Sequence, residues 1–310
     1  MAFLWHLTAV ELKDKVLVTG TVLKNETAID KSPRSILANA WNVLSSYRKK
    51  AYKRKRISIE TQDQTFSVET NKRGYFFEIL PIGNLDDFKI YDETKNLLSI
   101  DQVHPYYFKK HSTPIEIISD IDDTVIHSHT ASALKRILTI LFKRPKRRNK
   151  ILFSNALLDF FDENKFRIAY LSKSESNLFG LITAIFRARE IPSGPLFLTS
   201  YLKFKALFKP KKGKHKQDFL HQLISNLPDK KFILMGDDTQ RDMDVYTEVV
   251  NLYKDRIIKV YIRQTTFTVN EKQTKQWETL QDTGVDCMYF QDDDDINDEI
   301  EKLEESLRLI

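Results

Sequence analysis

Three aspartates, Asp120, Asp122 and Asp123, lie within four positions directly after the apolar stretch 115–119. Aspartate is depleted in β-strands and is costly near a hydrophobic core. Carboxylates gathered at the end of a buried strand repel one another unless a cation neutralises them, and a set of oxygen ligands suits Mg²⁺. The pattern therefore predicts a magnesium site at the end of a buried strand.

Complementary groups follow other predicted strands of the same region. Ser172 ends the second strand, while Asp237, Asp238 and Asp242 follow the fourth, and the lysine-rich segment 209–216 leads into the helix before the fourth. Parallel α/β sheets bind ligands at the carboxyl ends of their strands. We therefore expect these acids, the hydroxyl and the ammonium group to meet at one edge of a sheet.

This combination of groups suits phosphoryl transfer. Magnesium favours phosphates, and a serine with a lysine can hold the remaining phosphoryl oxygens. An aspartate can attack phosphorus and form an aspartyl-phosphate, and a second acid nearby can protonate the leaving group. The spacing of Asp120 and Asp122 lets both reach one site from a strand end and the turn after it.

The region from residue 113 onward alternates strand-like with helical runs, which predicts a doubly wound, mostly parallel α/β sheet in a domain 113–310. The predicted strands are 115–119, 167–172, 195–199, 231–236 and 257–263. The predicted helices are 156–164, 177–191, 215–227, 243–253 and 298–310.

Residues 1–112 have a different pattern. Strands are predicted at 15–23, within the alternating stretch 56–79 and at 87–93, and a helix followed by basic residues is predicted within 35–56. Short strands separated by turn signals are typical of a β-sandwich. We therefore predict a small β-sandwich domain before the α/β domain.

The composition limits the class of protein. The chain has 310 residues, a length typical of about two domains, and its net charge of +6 favours nucleic acid, phosphorylated molecules or anionic membranes as partners. The single cysteine, Cys287, excludes an internal disulfide and fits a reducing compartment. No stretch approaches the roughly 18 uncharged apolar residues of a spanning helix, and the first 15 residues lack signal-peptide features. We expect a cytoplasmic protein.

The motifs resemble a known superfamily. Asp120, Asp122 and Thr124 form the D-x-D-x-T of motif I in the haloacid dehalogenase-like phosphatases, Ser172 matches motif II, Lys216 motif III, and "GDDTQRD" (236–242) motif IV. The stretches "ISDIDDTV", "YLSKSESNLF", "IPSGPLFL", "HK" and "YIR" are similar to the catalytic domain of the App1-type phosphatidate phosphatases, over roughly residues 113–265. That family usually has a proline and an aromatic residue where this chain has Glu175 and Ser176.

The resemblance implies a Mg²⁺-dependent phosphatase that converts phosphatidate to diacylglycerol and phosphate. Asp120 is then the nucleophile, and Asp122 protonates the leaving oxygen and later activates water. The implied metal ligands are Asp120, Asp237, Asp242 through water, and the backbone carbonyl of Asp122. Ser172 and Lys216 would steady the phosphoryl group, with Lys212 and Lys214 as rivals of Lys216.

Several nearby residues have other interpretations. Asp123 is predicted to hold the turn, and Asp238 to be either exposed or a close neighbour of the site. His127 and His129 either handle protons and substrate or are ordinary surface histidines.

Three basic runs, 48–56, 143–150 and 209–216, are individually typical of solvated faces. Together they would attract an anionic membrane surface by about 1 kcal/mol per residue. The predicted helix 133–144 either packs against the core or lies in a bilayer surface. We expect a phosphorylated, anionic lipid as the partner and peripheral membrane contact rather than nucleic acid. The alternatives are a phosphatase for a soluble metabolite or phosphoprotein, and a non-catalytic module that binds lipid or nucleic acid.

Overall fold

The computed structural model describes residues 2–24, 35–82, 84–100, 102–128, 145–200, 215–239 and 241–308. The predicted helix 133–144, His129, Lys212 and Lys214 lie outside these residues.

Two sheets and one helix are formed by the N-terminal part of the chain. Their elements are β1 Ala2–Glu11, β2 Val16–Lys24, α1 Ile36–Ser46, β3 Lys50–Ala51, β4 Arg56–Glu60, β5 Thr65–Glu69, β6 Tyr75–Leu80, β7 Lys89–Asp92 and β8 Tyr107–Phe108. One sheet has the order β3-β2-β1-β8, with β6 also paired to β2, and the other has the order β5-β4-β7. Val18 and Phe76 of the first sheet share a core with Ile57 and Ile59 of the second.

Strand β1 was not predicted from the sequence. Nearly all of its residues are buried, so polar and apolar residues do not alternate along it. Leu7 and Ala9 pack in the core of the N-terminal sheets, whereas Val10 packs against the parallel sheet. A strand buried on both faces gives no period-two signal.

A six-stranded, all-parallel sheet follows, with the order β11-β10-β9-β12-β13-β14. Its strands are β9 Ile115–Ser119, β10 Arg167–Glu175, β11 Leu196–Thr199, β12 Lys231–Asp237, β13 Ile257–Arg263 and β14 Asp286–Phe290. The five predicted strands are confirmed as β9 to β13. Strand β14 was not predicted because it is a largely half-exposed edge strand.

Helices cover both faces of this sheet. They are α2 Leu152–Glu163, α3 Phe179–Arg189, α4 His215–Asn226, α5 Asp242–Leu252, α6 Glu271–Gln281 and α7 Ile296–Leu307. Helices α2, α3 and α7 pack with Ile117 of β9 on one face, and α4, α5 and α6 pack with Ile118 on the other. The five predicted helices correspond to α2, α3, α4, α5 and α7, whereas α6 was not predicted.

The N-terminal sheets and the parallel sheet are in direct contact. Leu12 and Leu17 pack in the same hydrophobic cluster as Ile118 and Leu171. The Trp5 indole donates to the backbone carbonyl of Ser176 at 2.6 Å. Strand β1 and its neighbour β2 therefore help to form the surroundings of β10. Within the described part of the chain, every helix is too short or too polar to cross a bilayer.

Candidate active site

Three buried aspartates meet at the carboxyl edge of the parallel sheet. Asp120 follows β9, Asp237 ends the adjacent strand β12, and Asp242 begins α5. One carboxylate oxygen from each residue lies within 4.8 Å of the others, and all three residues are fully buried. A Cβ at Gly236 would lie only 2.8 Å from Asp242 Oδ2. Glycine at this position therefore lets the Asp242 carboxylate pack against the end of the strand.

Lys216 is the cation of this aspartate cluster. Its Nζ lies 2.9 Å from Asp120 Oδ1 and 2.6 Å from Asp242 Oδ1. Burial lowers the pKa of the ammonium group, but Asp120 and Asp242 together raise it by more than burial lowers it. The pKa therefore lies well above its usual value. Lys216 therefore carries its charge inside the site, as the sequence assignment of this lysine requires.

The electrostatics of the cluster favour a further cation. Burial raises the pKa of Asp120 to about 7, against the opposing effect of Lys216 and with a further rise from Asp242. Burial and the neighbouring charges of Asp242 and Asp120 also raise the pKa of Asp237 well above its ordinary value. One ammonium group does not neutralise three buried carboxylates, so ionising all three carboxyl groups at once is unfavourable.

Two carboxylate oxygens of the cluster face no hydrogen-bond donor in the part of the chain that the structure describes. Among the described residues, Asp120 Oδ2 and Asp237 Oδ2 lack a hydrogen-bond partner, whereas Asp237 Oδ1 accepts from the backbone N–H of Thr239 at 2.5 Å. A buried acceptor without a donor costs roughly 1–3 kcal/mol. Buried carboxylate oxygens that face one another fit a hard cation such as Mg²⁺.

Asp122 lies beside the cluster and is held by two serines. Its Oδ2 accepts hydrogen bonds from Ser172 Oγ at 3.0 Å and from Ser174 Oγ at 2.6 Å. The structure therefore places Ser172 beside Asp122, and its predicted contact with phosphate stays a prediction. The sequence analysis overlooked Ser174, although residues two apart on a strand share a face.

Lys173 is a second cation that the sequence analysis overlooked. Its Nζ lies 3.8 Å from Asp242 Oδ1, and its side chain is 30% exposed. Burial lowers the pKa of this lysine, and Asp242 partly compensates. The sequence offered one signal for this position near the site, because Lys173 lies between Ser172 and Ser174. The site thus has a buried ammonium group and a partly exposed one, and both approach Asp242 Oδ1.

Asp123 and Asp238 support the loops around the cluster. Asp123 has a left-handed backbone (φ 61°), and its Oδ1 accepts from the backbone N–H of Ser128 at 2.8 Å. This agrees with a turn-holding role. Asp238 is 5% exposed, and its Oδ2 accepts from the Tyr289 hydroxyl at 2.7 Å. The alternative that Asp238 is exposed was wrong, because Tyr289 of the unpredicted strand β14 covers it.

His127 lies at the edge of the site. Its Nε2 is 3.4 Å from Asp292 Oδ2, and Asp292 also binds Arg263. This arrangement gives His127 a partner other than the aspartate cluster.

Comparison with known proteins identifies the family that the central segment resembles. Residues 115–264 match the family model of the phosphatidate phosphatase APP1 catalytic domain. The match includes all six predicted site residues. The family resemblance inferred from the sequence is confirmed over this segment.

Two fungal relatives and one solved structure give the extent of the similarity. The chain is 29% identical to the Saccharomyces cerevisiae phosphatidate phosphatase APP1 over 154 residues, which cover 48% of the chain and 26% of that protein. It is 24% identical to an uncharacterized Schizosaccharomyces pombe protein over 212 residues, 64% of the chain and 34% of that protein. The chain therefore spans between a quarter and about a third of these relatives. A Pnkp1/Rnl/Hen1 complex is 12% identical with a TM-score of 0.35, covering 66% of this chain and 53% of that one.

Proposed function

We propose that the chain is a Mg²⁺-dependent phosphatase that hydrolyses phosphatidate to diacylglycerol and phosphate. The observation that carries this proposal is the buried cluster of Asp120, Asp237 and Asp242 with Lys216 at the carboxyl edge of the sheet. The family match over residues 115–264 supports phosphatidate as the substrate. Phosphatidate is a phosphomonoester, the class of substrate that an aspartate nucleophile can hydrolyse with the help of a divalent cation.

Asp120, Asp237 and Asp242, the last through water, would hold the cation together with the backbone carbonyl of Asp122. The unpartnered oxygens of Asp120 and Asp237 support this assignment. When bound, Mg²⁺ neutralises the carboxylates and polarises a phosphoryl oxygen.

Asp120 is the proposed nucleophile. Its carboxylate attacks phosphorus, the bond between phosphorus and the diacylglycerol oxygen breaks, and Asp122 donates a proton to that oxygen. The product on the protein is an aspartyl-phosphate. Asp122 then accepts a proton from water as the water attacks phosphorus, so phosphate leaves and the Asp120 carboxylate is restored.

The remaining polar groups position the reacting ones. The hydrogen bonds from Ser172 and Ser174 fix the direction of the Asp122 carboxyl group. Lys216 offsets the charge of Asp120 and of the transferred phosphoryl group. Ser172 contributes a hydroxyl to the phosphoryl oxygens. Lys173 adds a second, partly exposed positive charge beside Asp242.

We further propose a haloacid dehalogenase-like domain over 113–310, a β-sandwich domain over 1–112, and a cytoplasmic, peripheral membrane location. The strand order, with the acids at the ends of the adjacent strands β9 and β12, supports the first assignment. The core shared by the two N-terminal sheets supports the second.

Phosphate release provides the test. The full chain would be assayed with phosphatidate in mixed micelles, with water-soluble phosphomonoesters and with a phosphoprotein, each with and without Mg²⁺. We expect phosphatidate to be hydrolysed with the highest kcat/KM. A preference for a soluble ester or the phosphoprotein would replace phosphatidate as the substrate. Absence of release from every substrate in the presence of Mg²⁺ would leave a non-catalytic binding module.

A further inference from the structure

Helix α1 exposes a pair of apolar side chains. Leu37 is 79% exposed and Trp41 is 63% exposed, and residues four apart lie on the same face of a helix. Another face of α1 is anchored, because Val43 and Tyr47 are buried in the core that includes α2 and α3. The helix is therefore fixed to the protein while it presents Leu37 and Trp41 to solvent.

Basic residues surround this apolar pair. Arg48, Lys50, Lys53 and Arg54 follow α1 and are exposed. The Arg48 guanidinium lies 5.8 Å from the centre of the Trp41 ring. None of these four side chains forms an ion pair within the part of the chain that the structure describes. Their charge is therefore available to an external anion.

The turn between β5 and β6 extends the basic surface. A Cβ at Gly74 would lie 3.1 Å from the backbone nitrogen of Tyr52, so the turn packs directly against the stretch that carries Arg54. Lys72 and Arg73 are exposed in this turn. Together with Arg54, Glu69, Asn71 and Ser200 they line a cavity of about 400 Å³, in which three cations outnumber the one carboxylate.

This surface lies beside the candidate active site. Ser200 follows Thr199, whose hydroxyl donates to the backbone carbonyl of Ser174 at 3.1 Å. The side chain of Asn177 donates to the backbone carbonyl of Ser46 in α1 at 3.5 Å. Both the cavity and α1 therefore adjoin the segment whose serines hold Asp122.

We propose that Leu37 and Trp41, with Arg48, Lys50, Lys53, Arg54, Lys72 and Arg73, form a docking surface for an anionic membrane. Leu37 and Trp41 enter the headgroup region, where tryptophan is favoured, and the cations bind anionic headgroups. An exposed leucine beside a tryptophan favours a bilayer over nucleic acid, because a base would stack on the tryptophan ring and leave the leucine without a function. The proposal rests on the proposed function for its lipid substrate, and it names the surface that would bring the site to the bilayer.

Vesicle binding tests the apolar pair without hydrolysis. Vesicles of phosphatidylcholine with phosphatidylserine, and of phosphatidylcholine alone, would be sedimented with the full chain. We expect binding to the anionic vesicles only, with a blue shift of tryptophan emission. Leu37→Ser/Trp41→Ser should weaken binding by at least about tenfold. Leu252 is 71% exposed at the end of α5, towards the opposite edge of the sheet, so Leu252→Ser is the matched control and should bind normally.

The charges are tested in the same assay. Lys53→Gln/Arg54→Gln should weaken binding by about 10- to 30-fold, since each cation contributes about 1 kcal/mol near an anionic surface. Lys165→Gln/Lys254→Gln removes the same charge from exposed positions towards the other edge of the sheet and should have a much smaller effect. Added salt should weaken wild-type binding, because the attraction acts over a Debye length of about 8 Å.

The outcomes separate docking from catalysis. The docking surface is refuted if the wild type ignores anionic vesicles, if the docking variants bind as the wild type does, or if the controls lose as much. It is also refuted if an oligonucleotide, and not vesicles, shifts the tryptophan emission. Hydrolysis of a water-soluble phosphomonoester reports on the proposed function alone, and the docking variants should leave it unchanged.

Discussion

The Arg263 guanidinium donates from Nη1 to the backbone carbonyl of Asp123 at 3.0 Å. Its Nε also donates to Asp292 Oδ1 at 3.0 Å, and Arg263 is only 7% exposed. Asp123 directly follows Asp122 and has a left-handed backbone. A residue at the end of β13 therefore fixes the backbone of the loop that carries the proposed nucleophile and acid.

Arg263→Lys keeps the charge but cannot reach Asp123 and Asp292 with the same fork of donors. We expect kcat to fall by about 10- to 100-fold with little change in KM, because a small misplacement of reacting groups is costly. Steady-state kinetics on a water-soluble ester would measure this. Arg308→Lys, at an exposed position directly after α7, is the control. A loss confined to KM would contradict the positioning role.

Asp120→Asn preserves the size of the proposed nucleophile and removes its charge. Turnover should fall by roughly 10⁴-fold or more, because the covalent step loses its attacking group. The fold should survive, since Lys216 keeps its ion pair with Asp242. Phosphate release and circular dichroism would be measured on the same sample. Near-normal turnover by a folded variant would remove Asp120 from this role.

Chelation of divalent cations should abolish phosphate release, and Mg²⁺ should restore it. Because a cation relieves the repulsion among the three buried carboxylates, Mg²⁺ should also raise the Tm of the wild type. Asp237→Ala should show little of this rise. The expectation fails if exhaustively chelated protein remains fully active.

The buried histidine of β1 predicts a loss of stability in acid. Burial lowers the pKa of His6 to about 3 from its usual 6.5, and its Nε2 lies 3.0 Å from Thr21 Oγ1. The unfolded chain thus binds a proton near pH 6.5, whereas the folded chain does so only near pH 3. The stabilising contribution is complete above pH 6.5 and is lost as the pH falls towards 3.

The free energy of unfolding should therefore drop by about 2 kcal/mol between pH 6.5 and 5 from His6 alone. Denaturant unfolding at the two pH values measures this drop. His6→Phe cannot gain the proton and should lose less over the same interval. Equal losses in the wild type and the variant would show that His6 does not cause the effect.

The sequence predicted the parallel sheet well because its central strands are continuous buried runs that end in polar residues. It failed where the physical signal is weak or distant. Helix α6 is largely polar, and its start is defined by a capping box of Asn270 and Gln273 rather than by an apolar stripe. The contact between Arg263 and Asp123 joins residues 140 positions apart, so no local pattern reports it.

The site was predicted in a similar way. Strand ends located Asp120, Asp237 and Asp242, because parallel strands bring their carboxyl ends together. The hydrogen bonds of Asp122 to both serines depend on side-chain directions, which spacing alone leaves open. Lys173, which approaches Asp242, lies where the pairing of β10 with β11 is irregular, between Leu171 and Glu175, and spacing alone does not report such an irregularity.

The hydrogen bond from Trp5 to the Ser176 carbonyl has a consequence for genetics. The family match begins at residue 115, yet a side chain near the start of the chain helps to hold the segment that follows the two serines. If the proposed function holds, a missense change at Trp5 should therefore score as a loss-of-function allele in a complementation screen. A product that lacks residues 1–112 should fail to complement, because it lacks Leu12 and Leu17 from the shared core.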